Sequence, residues 1–316
     1  MLNRNPENLL TRIKQGKHIL MDGALGTELE RRGVPFDGAA WSALAVRDYG
    51  EVIRQTHEDY LSADAQIHIV NSFALARHVL EPVGLGDQFE YLNRQSVALF
   101  DEALTHSGKD RNTVWVAGSL STFAAHSDRS TLPTGDALSL NYRDQAQILY
   151  DAGVDLFVLE MLFDVDVSLV MLKAVKEFNL PVIIGFTCDR SDQVASSVVS
   201  ARGMGSTAVP LEEILPKVID AIESDNVILS IMHSDLDVTN NALAILKRYW
   251  NGPIAIYPNS GHFVKLHLQF ESVCSVEAFN RAANRWFDEG VQIVGGCCGI
   301  GPDHIAYLST KSNESF

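Results

Sequence analysis

Short apolar runs recur along the chain at intervals that suit strands separated by helices. Most of them are continuously apolar rather than alternating, which is typical of strands buried on both faces of a parallel sheet. The runs that predict strands are His18–Asp22, Ala65–Val70, Val114–Gly118, Val154–Glu160, Pro181–Thr187, Asn226–Met232, Pro253–Tyr257 and Val291–Gly296. Eight such strands alternating with helices predict an α/β fold, a (β/α)8 TIM barrel that uses residues 1–316 as a single domain.

Segments with helical spacing separate the predicted strands. A doubly wound open sheet has the same local pattern, but we favour the barrel because of the strand count and because no Gly-x-Gly-x-x-Gly motif follows an early strand. The polar stretch Gly118–Asp136 predicts an enlarged loop after the third strand, and residues 309–316 are expected to fray. The predicted helices include Val46–Leu61, Leu140–Ala152, Val165–Phe178 and Leu211–Ile222.

Composition and charge narrow the class of partner. The 316 residues include 46% hydrophobic and 21% charged residues, an ordinary globular balance, and the net charge is −15. This acidic balance argues against nucleic acid or an anionic membrane as the partner and favours small molecules. With no signal-peptide pattern, no run long enough to span a bilayer and only four cysteines, we expect a cytoplasmic protein. The sequence leaves a homo-oligomer open.

The adjacent residues Cys297 and Cys298 lie between glycines at the end of the last predicted strand. Thiolates bind zinc at about 2.3 Å, and flanking glycines let the backbone turn so that both sulfurs can face one ion. A buried pair or a vicinal disulfide is the alternative, because the spacing lacks the two-residue separation of common zinc knuckles. A catalytic zinc needs about three protein ligands. The candidates for the third are His233, which ends the sixth strand, and Cys188, which ends the fifth. For His233 the alternative is a hydrogen-bonded histidine at the rim without a metal.

Further motifs occur along the chain, most of them at strand ends, where the active site of a barrel forms. They are Met21-Asp22-Gly23-Ala24-Leu25-Gly26-Thr27, Trp41-Ser42 with His57 in the next helix, Asn71-Ser72-Phe73, Ala117-Gly118-Ser119, Leu159-Glu160, Tyr257-Pro258-Asn259-Ser260-Gly261 and Gly295-Gly296-Cys297-Cys298-Gly299. In this order the chain resembles the homocysteine S-methyltransferase family over nearly its whole length. The first and last motifs are the most specific.

The resemblance implies a zinc-dependent enzyme of methionine biosynthesis. Such an enzyme moves a methyl group from a small cationic donor (S-methylmethionine, betaine or S-adenosylmethionine) to the thiol of homocysteine. The resemblance places zinc on Cys297 and Cys298, and places the amino group of homocysteine against Asp22 and Glu160. Zinc would shift the acceptor sulfur to the nucleophilic thiolate.

The sixth strand departs from the family pattern. The family usually has Gly-Val-Asn-Cys there, whereas this chain has Ser230-Ile231-Met232-His233, so a histidine stands where a third cysteine belongs. The resemblance therefore makes His233 the expected third metal ligand, with Cys188 as the alternative. The change also leaves open a different thiol or selenol acceptor, or a non-catalytic amino-acid-binding barrel with a degraded metal site.

Four more residues are expected in the substrate site. Trp41 and Tyr257 would form an aromatic wall near the donor, because aromatic faces attract sulfonium and quaternary ammonium groups. Asn71 and Asn259 would orient the substrate carboxylate or support the metal ligands. Ordinary packing at the rim of the barrel is the alternative for all four.

Overall fold

Eight parallel strands form one sheet that curls into a barrel. The structure is a computed structural model, and it describes residues 4–5, 7, 9–35, 40, 43–124, 132–162, 164–190, 198–200, 209–264 and 269–313. The strands are β1 (Ile19–Leu20), β2 (Ile67–Ile69), β3 (Trp115–Ser121), β4 (Leu156–Leu162), β5 (Val182–Arg190), β6 (Val198–Ser200), β7 (Val209–Pro210), β8 (Val227–Asp235), β9 (Ile254–Asn259), β10 (His262–Val264), β11 (Gln269–Glu271) and β12 (Ile293–Val294).

Helices follow the barrel strands and cover the outside of the sheet. Short 3-10 turns at Glu81–Val83, Gly86–Gln88 and Arg111–Thr113 complete the connections. The helices are α1 (Leu9–Lys14), α2 (Leu25–Arg31), α3 (Ala43–Asp48), α4 (Gly50–Ser62), α5 (Arg77–Leu80), α6 (Phe89–Ser107), α7 (Gly135–Ala152), α8 (Val165–Lys176), α9 (Leu211–Asp220), α10 (Leu236–Tyr249), α11 (Val276–Asp288) and α12 (Pro302–Asn313).

The strand order confirms the predicted barrel. Neighbouring strands run in the order β1-β12-β9-β8-β5-β4-β3-β2, and a parallel bridge between Met21 and Ile67 brings the two ends of this series together. The open-sheet alternative is therefore excluded. Short antiparallel pairings at β6–β7 and β10–β11 lie outside the barrel series. Among the described residues, no helix has the length and apolar composition that crossing a bilayer requires.

Two apolar layers explain why the strands read as continuous apolar runs. Side chains such as Ile69, Val158 and Ile228 fill the barrel interior, while Val116, Phe157 and Leu229 pack between the sheet and the helices. Because both faces of each strand are buried, there is no solvent side on which polar residues would alternate. A polar side chain at the end of a strand is therefore placed at the mouth of the barrel.

Three boundaries differ from the sequence-based expectations. The helix predicted over Val46–Leu61 is divided at Tyr49, next to a glycine that weakens a helix. Of residues 309–316, which were expected to fray, those up to Asn313 belong to α12, and residues 314–316 lie outside the described ranges. Ser309 is buried and its hydroxyl donates to Asp64. The predicted loop after the third strand begins later, since β3 extends to Ser121, and residues 125–131 of it lie outside the described ranges.

Candidate active site

The mouth of the barrel brings the cysteine pair to His233. The Cys297 sulfur lies 3.1 Å from Nδ1 of His233 and 3.8 Å from the Cys298 sulfur. Cys297 is buried and Cys298 is partly exposed. In the absence of a cation, the hydrogen bond with Cys298 and then burial raise the pKa of Cys297 well above its usual value. Cys297 is thus the centre of a cluster of two thiols and one imidazole.

The other ring nitrogen of His233 contacts a carboxylate. Nε2 lies 2.9 Å from Oε2 of Glu160, and Oε1 of Glu160 accepts a hydrogen bond from the hydroxyl of Ser119. Because an ionised carboxylate only accepts, the ring hydrogen belongs on Nε2 and the lone pair of Nδ1 faces the Cys297 sulfur. This is the arrangement of a metal-ligating histidine, whose second nitrogen usually donates to a carboxylate or a carbonyl.

Irregular backbone at the ends of β8 and β4 orients the side chains of His233 and Glu160 toward each other. The pairing of β8 with β9 shifts register just after Met232, and His233 has a left-handed φ of 50°. The pairing of β4 with β5 shifts after Leu159, and Met161, which follows Glu160, has a φ of 61°. Bulges and left-handed residues cost free energy and recur beside active sites, where they redirect a side chain.

A second buried carboxylate lies across the mouth at the end of β1. Asp22 accepts a hydrogen bond from the Ile69 backbone N–H at 2.8 Å and one from the Tyr257 hydroxyl at 3.3 Å. Burial raises the pKa of Asp22 well above its usual range, and the charge of Glu160 adds to the effect. A cationic group placed beside Asp22 would favour its charged form.

Glycines let the cysteine loop pass close to neighbouring backbone. A Cβ on Gly295 would lie 2.6 Å from the carbonyl oxygen of Asp22. Gly299 has a φ of +81°, and its Cβ would lie 2.3 Å from the carbonyl oxygen of Ser260. Glycine avoids the close contact at both positions, and at Gly299 it also avoids the strain of the left-handed backbone.

The other residues that the sequence predicted for the site lie in different environments. Asn71 and Asn259 are buried at the mouth, and Oδ1 of Asn259 has no hydrogen-bond partner. Trp41 lies outside the described residues. Cys188, the alternative third ligand, packs in the layer between sheet and helices, whereas Cys297 belongs to the interior cluster. The structure therefore places His233, and not Cys188, beside the cysteine pair.

Asp22, His57 and His68 form a triad of buried polar side chains, in which both histidine rings contact Phe100. One potential ligand atom from each lies within 4.8 Å of the other two, so the triad could also take a metal ion. His57 has no partner at either ring nitrogen, and His68 donates or accepts only at Nε2, toward the Ala65 carbonyl at 2.9 Å. Our sequence reasoning missed His68, although a histidine between Ile67 and Ile69 in a buried strand is itself a signal.

Buried histidines predict that acid destabilises the protein. Burial lowers the pKa of His57 to about 4, of His68 to about 3 and of His78 to about 4. Unfolded histidine titrates near pH 6.5, so below about pH 6.5 the unfolded chain binds protons that the folded protein does not. These groups leave stability unchanged above that pH, and stability falls as the pH decreases, by up to about 1.4 kcal/mol per pH unit for each histidine.

Urea unfolding at about pH 7 and about pH 5 measures this effect. Between the two pH values, the free energy of unfolding should fall less for the variant His68→Leu than for the parent. The reason is that the variant has one buried histidine fewer to bind a proton on unfolding. Comparing parent and variant cancels the contribution of other titrating groups. Equal losses in both proteins would contradict the assignment.

The donor atoms of the rim fit a zinc ion. Two thiols and an imidazole whose other nitrogen is bound to a carboxylate form a common zinc ligand set. Sulfur ligands of a tetrahedral zinc are separated by about 3.8 Å, given a zinc–sulfur distance of about 2.3 Å. These features define a (β/α)8 barrel whose mouth holds a set of side chains that could bind a metal ion.

Comparison with known proteins identifies the family. A family model described as homocysteine S-methyltransferase matches residues 19–311, and the chain belongs to this family. The chain is 28% identical to a selenocysteine methyltransferase from Astragalus bisulcatus, over 95% of this chain and 94% of that protein. It is 27% identical to a homocysteine S-methyltransferase from Escherichia coli, over 93% and 95%. The family predicted from the motifs is thus confirmed, and the chain is a methyltransferase.

A solved structure shows the same fold. The metallated form of the homocysteine methyltransferase MmuM from Escherichia coli superposes with a TM-score of 0.75 at 25% identity, over 96% of this chain and 99% of that chain.

Proposed function

We propose that this protein is a zinc-dependent S-methyltransferase that transfers a methyl group from a small cationic donor to homocysteine. Cys297, Cys298 and His233 would hold the metal. The observation that carries the proposal is the contact of the Cys297 sulfur with both other side chains. A bound zinc ion would supply the Lewis acidity that converts the acceptor thiol to a thiolate at neutral pH.

Asp22 and Glu160 would surround the ammonium group of the acceptor. Both carboxylates are buried, so their attraction for a cation is screened less than on a protein surface. The Tyr257 hydroxyl shares its one hydrogen between the Gly23 carbonyl at 2.9 Å and Asp22 at 3.3 Å, so Tyr257 would support Asp22. Asn71 and Asn259 would face the acceptor carboxylate. Holding both reactants at one mouth removes part of the entropic barrier to transfer.

The histidine changes the charge of the ligand set. Two thiolates and a neutral imidazole carry a charge of about −2, where three thiolates would carry about −3. The less negative set withdraws more electron density from an acceptor sulfur, so the thiolate forms more readily and attacks less strongly. We therefore propose that this chain works with an activated sulfonium donor, S-methylmethionine or S-adenosylmethionine, in preference to betaine.

A donor and acceptor screen tests the function. Purified zinc-loaded protein is incubated with homocysteine and each of the three donors, and methionine is measured. We expect methionine with at least one sulfonium donor, and its loss after chelation and recovery with zinc. Selenocysteine serves as a parallel acceptor, since one relative is a selenocysteine methyltransferase. Turnover of selenocysteine alone would replace homocysteine as the acceptor, and no product in any combination would refute the proposal.

A further inference from the structure

A chain of hydrogen bonds crosses the barrel mouth and ends at the metal-binding cluster. The hydroxyl of Ser72 donates to the Ser119 carbonyl and accepts from the Ser119 N–H, both at 2.9 Å. The hydroxyl of Ser119 then donates to Glu160, and Glu160 accepts from Nε2 of His233 at 2.9 Å. Ser72 follows β2 and binds the backbone of Ser119, and the side-chain contacts then connect β3, β4 and β8. Nδ1 of His233 lies 3.1 Å from the Cys297 sulfur, where the series of contacts ends.

Both oxygens of Glu160 are engaged in this chain. Oε1 binds the Ser119 hydroxyl and Oε2 binds the His233 ring, while Glu160 itself is buried with 4% of its surface exposed. In this position the carboxylate cannot rotate freely toward a ligand without breaking one of the two contacts. Asp22, by contrast, has its hydrogen bonds from a backbone N–H and a tyrosine, and neither contact leads to the cysteines.

The two contacts decide which nitrogen of His233 faces the sulfurs. An imidazole offers one N–H and one lone pair, and the carboxylate fixes the N–H on Nε2. The lone pair of Nδ1 then points at the Cys297 sulfur, which is the orientation a metal ligand needs. A cysteine at position 233 would have no ring nitrogen to orient, so it would need no hydrogen-bond partner of this kind.

We propose that Glu160 and Ser119 are positioning residues that hold His233 in its metal-binding tautomer and rotamer, so that the His233 substitution and the Ser119–Glu160 pair work as one unit. Glu160 then acts on the metal site through His233, in addition to the contact with the acceptor ammonium that it would share with Asp22. The inference rests on the proposed function only in assigning a metal to the cluster.

Zinc affinity of the metal-free protein, measured by competition with a chromogenic chelator, tests the proposal without substrates. Ser119→Ala and Glu160→Gln should each weaken zinc binding by about 10- to 100-fold, the usual cost of losing a partner of a ligating histidine. Ser121→Ala is the matched control, because Ser121 is a buried serine on the same strand whose hydroxyl donates to the Phe73 carbonyl instead. It should leave zinc affinity unchanged.

The double variant Glu160→Gln/His233→Cys separates positioning from a general structural effect. In the His233→Cys background, Glu160→Gln should no longer weaken zinc binding. Nitrogen NMR of the metal-free parent, with labelled histidine, should show the His233 hydrogen on Nε2, and the Glu160→Gln variant should show a mixture of tautomers. An equal loss of zinc affinity in both backgrounds, or no loss in either, would overturn the proposal.

These outcomes are distinct from those of the donor screen. Unchanged zinc affinity in Glu160→Gln, with normal turnover of the parent, would refute the positioning role and leave the function intact. Absent turnover with every donor, combined with the expected coupling of zinc affinities, would refute the function and leave the positioning role intact.

Discussion

Replacing Cys297 by serine should remove zinc and lower kcat/KM for methyl transfer by at least about 100-fold, because losing a ligand costs more than losing a ligand's hydrogen-bond partner. Cys297 should be the more sensitive of the two cysteines, since its sulfur contacts both Cys298 and His233. Metal content by mass spectrometry and initial rates of methionine formation measure the two effects.

Two controls locate the metal. Cys188→Ala should keep about one zinc per chain, because the Cys188 side chain packs in the layer between the sheet and the helices. His68→Leu should keep it as well if the metal is on the cysteines and not on the triad of Asp22, His57 and His68. Zinc that survives Cys297→Ser but is lost in His68→Leu would place the metal in the triad and overturn the rim assignment.

Replacing Asp22 by asparagine should raise KM for homocysteine by about 100-fold, or about 2.7 kcal/mol, through loss of a buried charge that faces an ammonium group. The amide oxygen can still accept from the Ile69 backbone N–H, so the fold around β1 should survive. Steady-state kinetics over a range of homocysteine concentrations separate KM from kcat, and zinc affinity should not change.

Tyr257→Phe is the companion variant, because it removes the hydroxyl that donates to Asp22 and retains the carboxylate. Its effect on KM should be smaller than that of Asp22→Asn. If Asp22→Asn left KM unchanged and lowered only kcat, Asp22 would not bind the acceptor ammonium in the ground state.

The barrel could be predicted from the sequence, because a strand that is buried on both faces is a continuous run of apolar residues. Runs such as Val154–Glu160 and Asn226–Met232 are apolar throughout, and they became β4 and β8 with small changes at their ends. The position of each site residue at the end of its strand followed from the same pattern. The helix division at Tyr49 was not predicted, although the adjacent Gly50 is a sequence signal that weakens a helix.

The contact between His233 and Glu160 could not be predicted from any local sequence pattern, because it depends on the backbone at the ends of β8 and β4. Both residues sit at register shifts beside left-handed backbone, at φ 50° for His233 and φ 61° for Met161. Such conformations are held by contacts with neighbouring strands and oppose local preference. The burial of His57, with neither ring nitrogen hydrogen-bonded, is likewise a consequence of packing, because its ring lies against Phe100 of α6.

Residue order alone therefore established the eight-stranded barrel, the family and the glycine-flanked cysteines, because periodicity and motifs are properties of short stretches of chain. The three-dimensional structure decided which partners those residues have: His233 beside Cys297, Glu160 behind His233, and Cys188 in the outer layer. These contacts join residues far apart in sequence, and their geometry is set by strand register and tight packing, which short stretches of sequence do not specify.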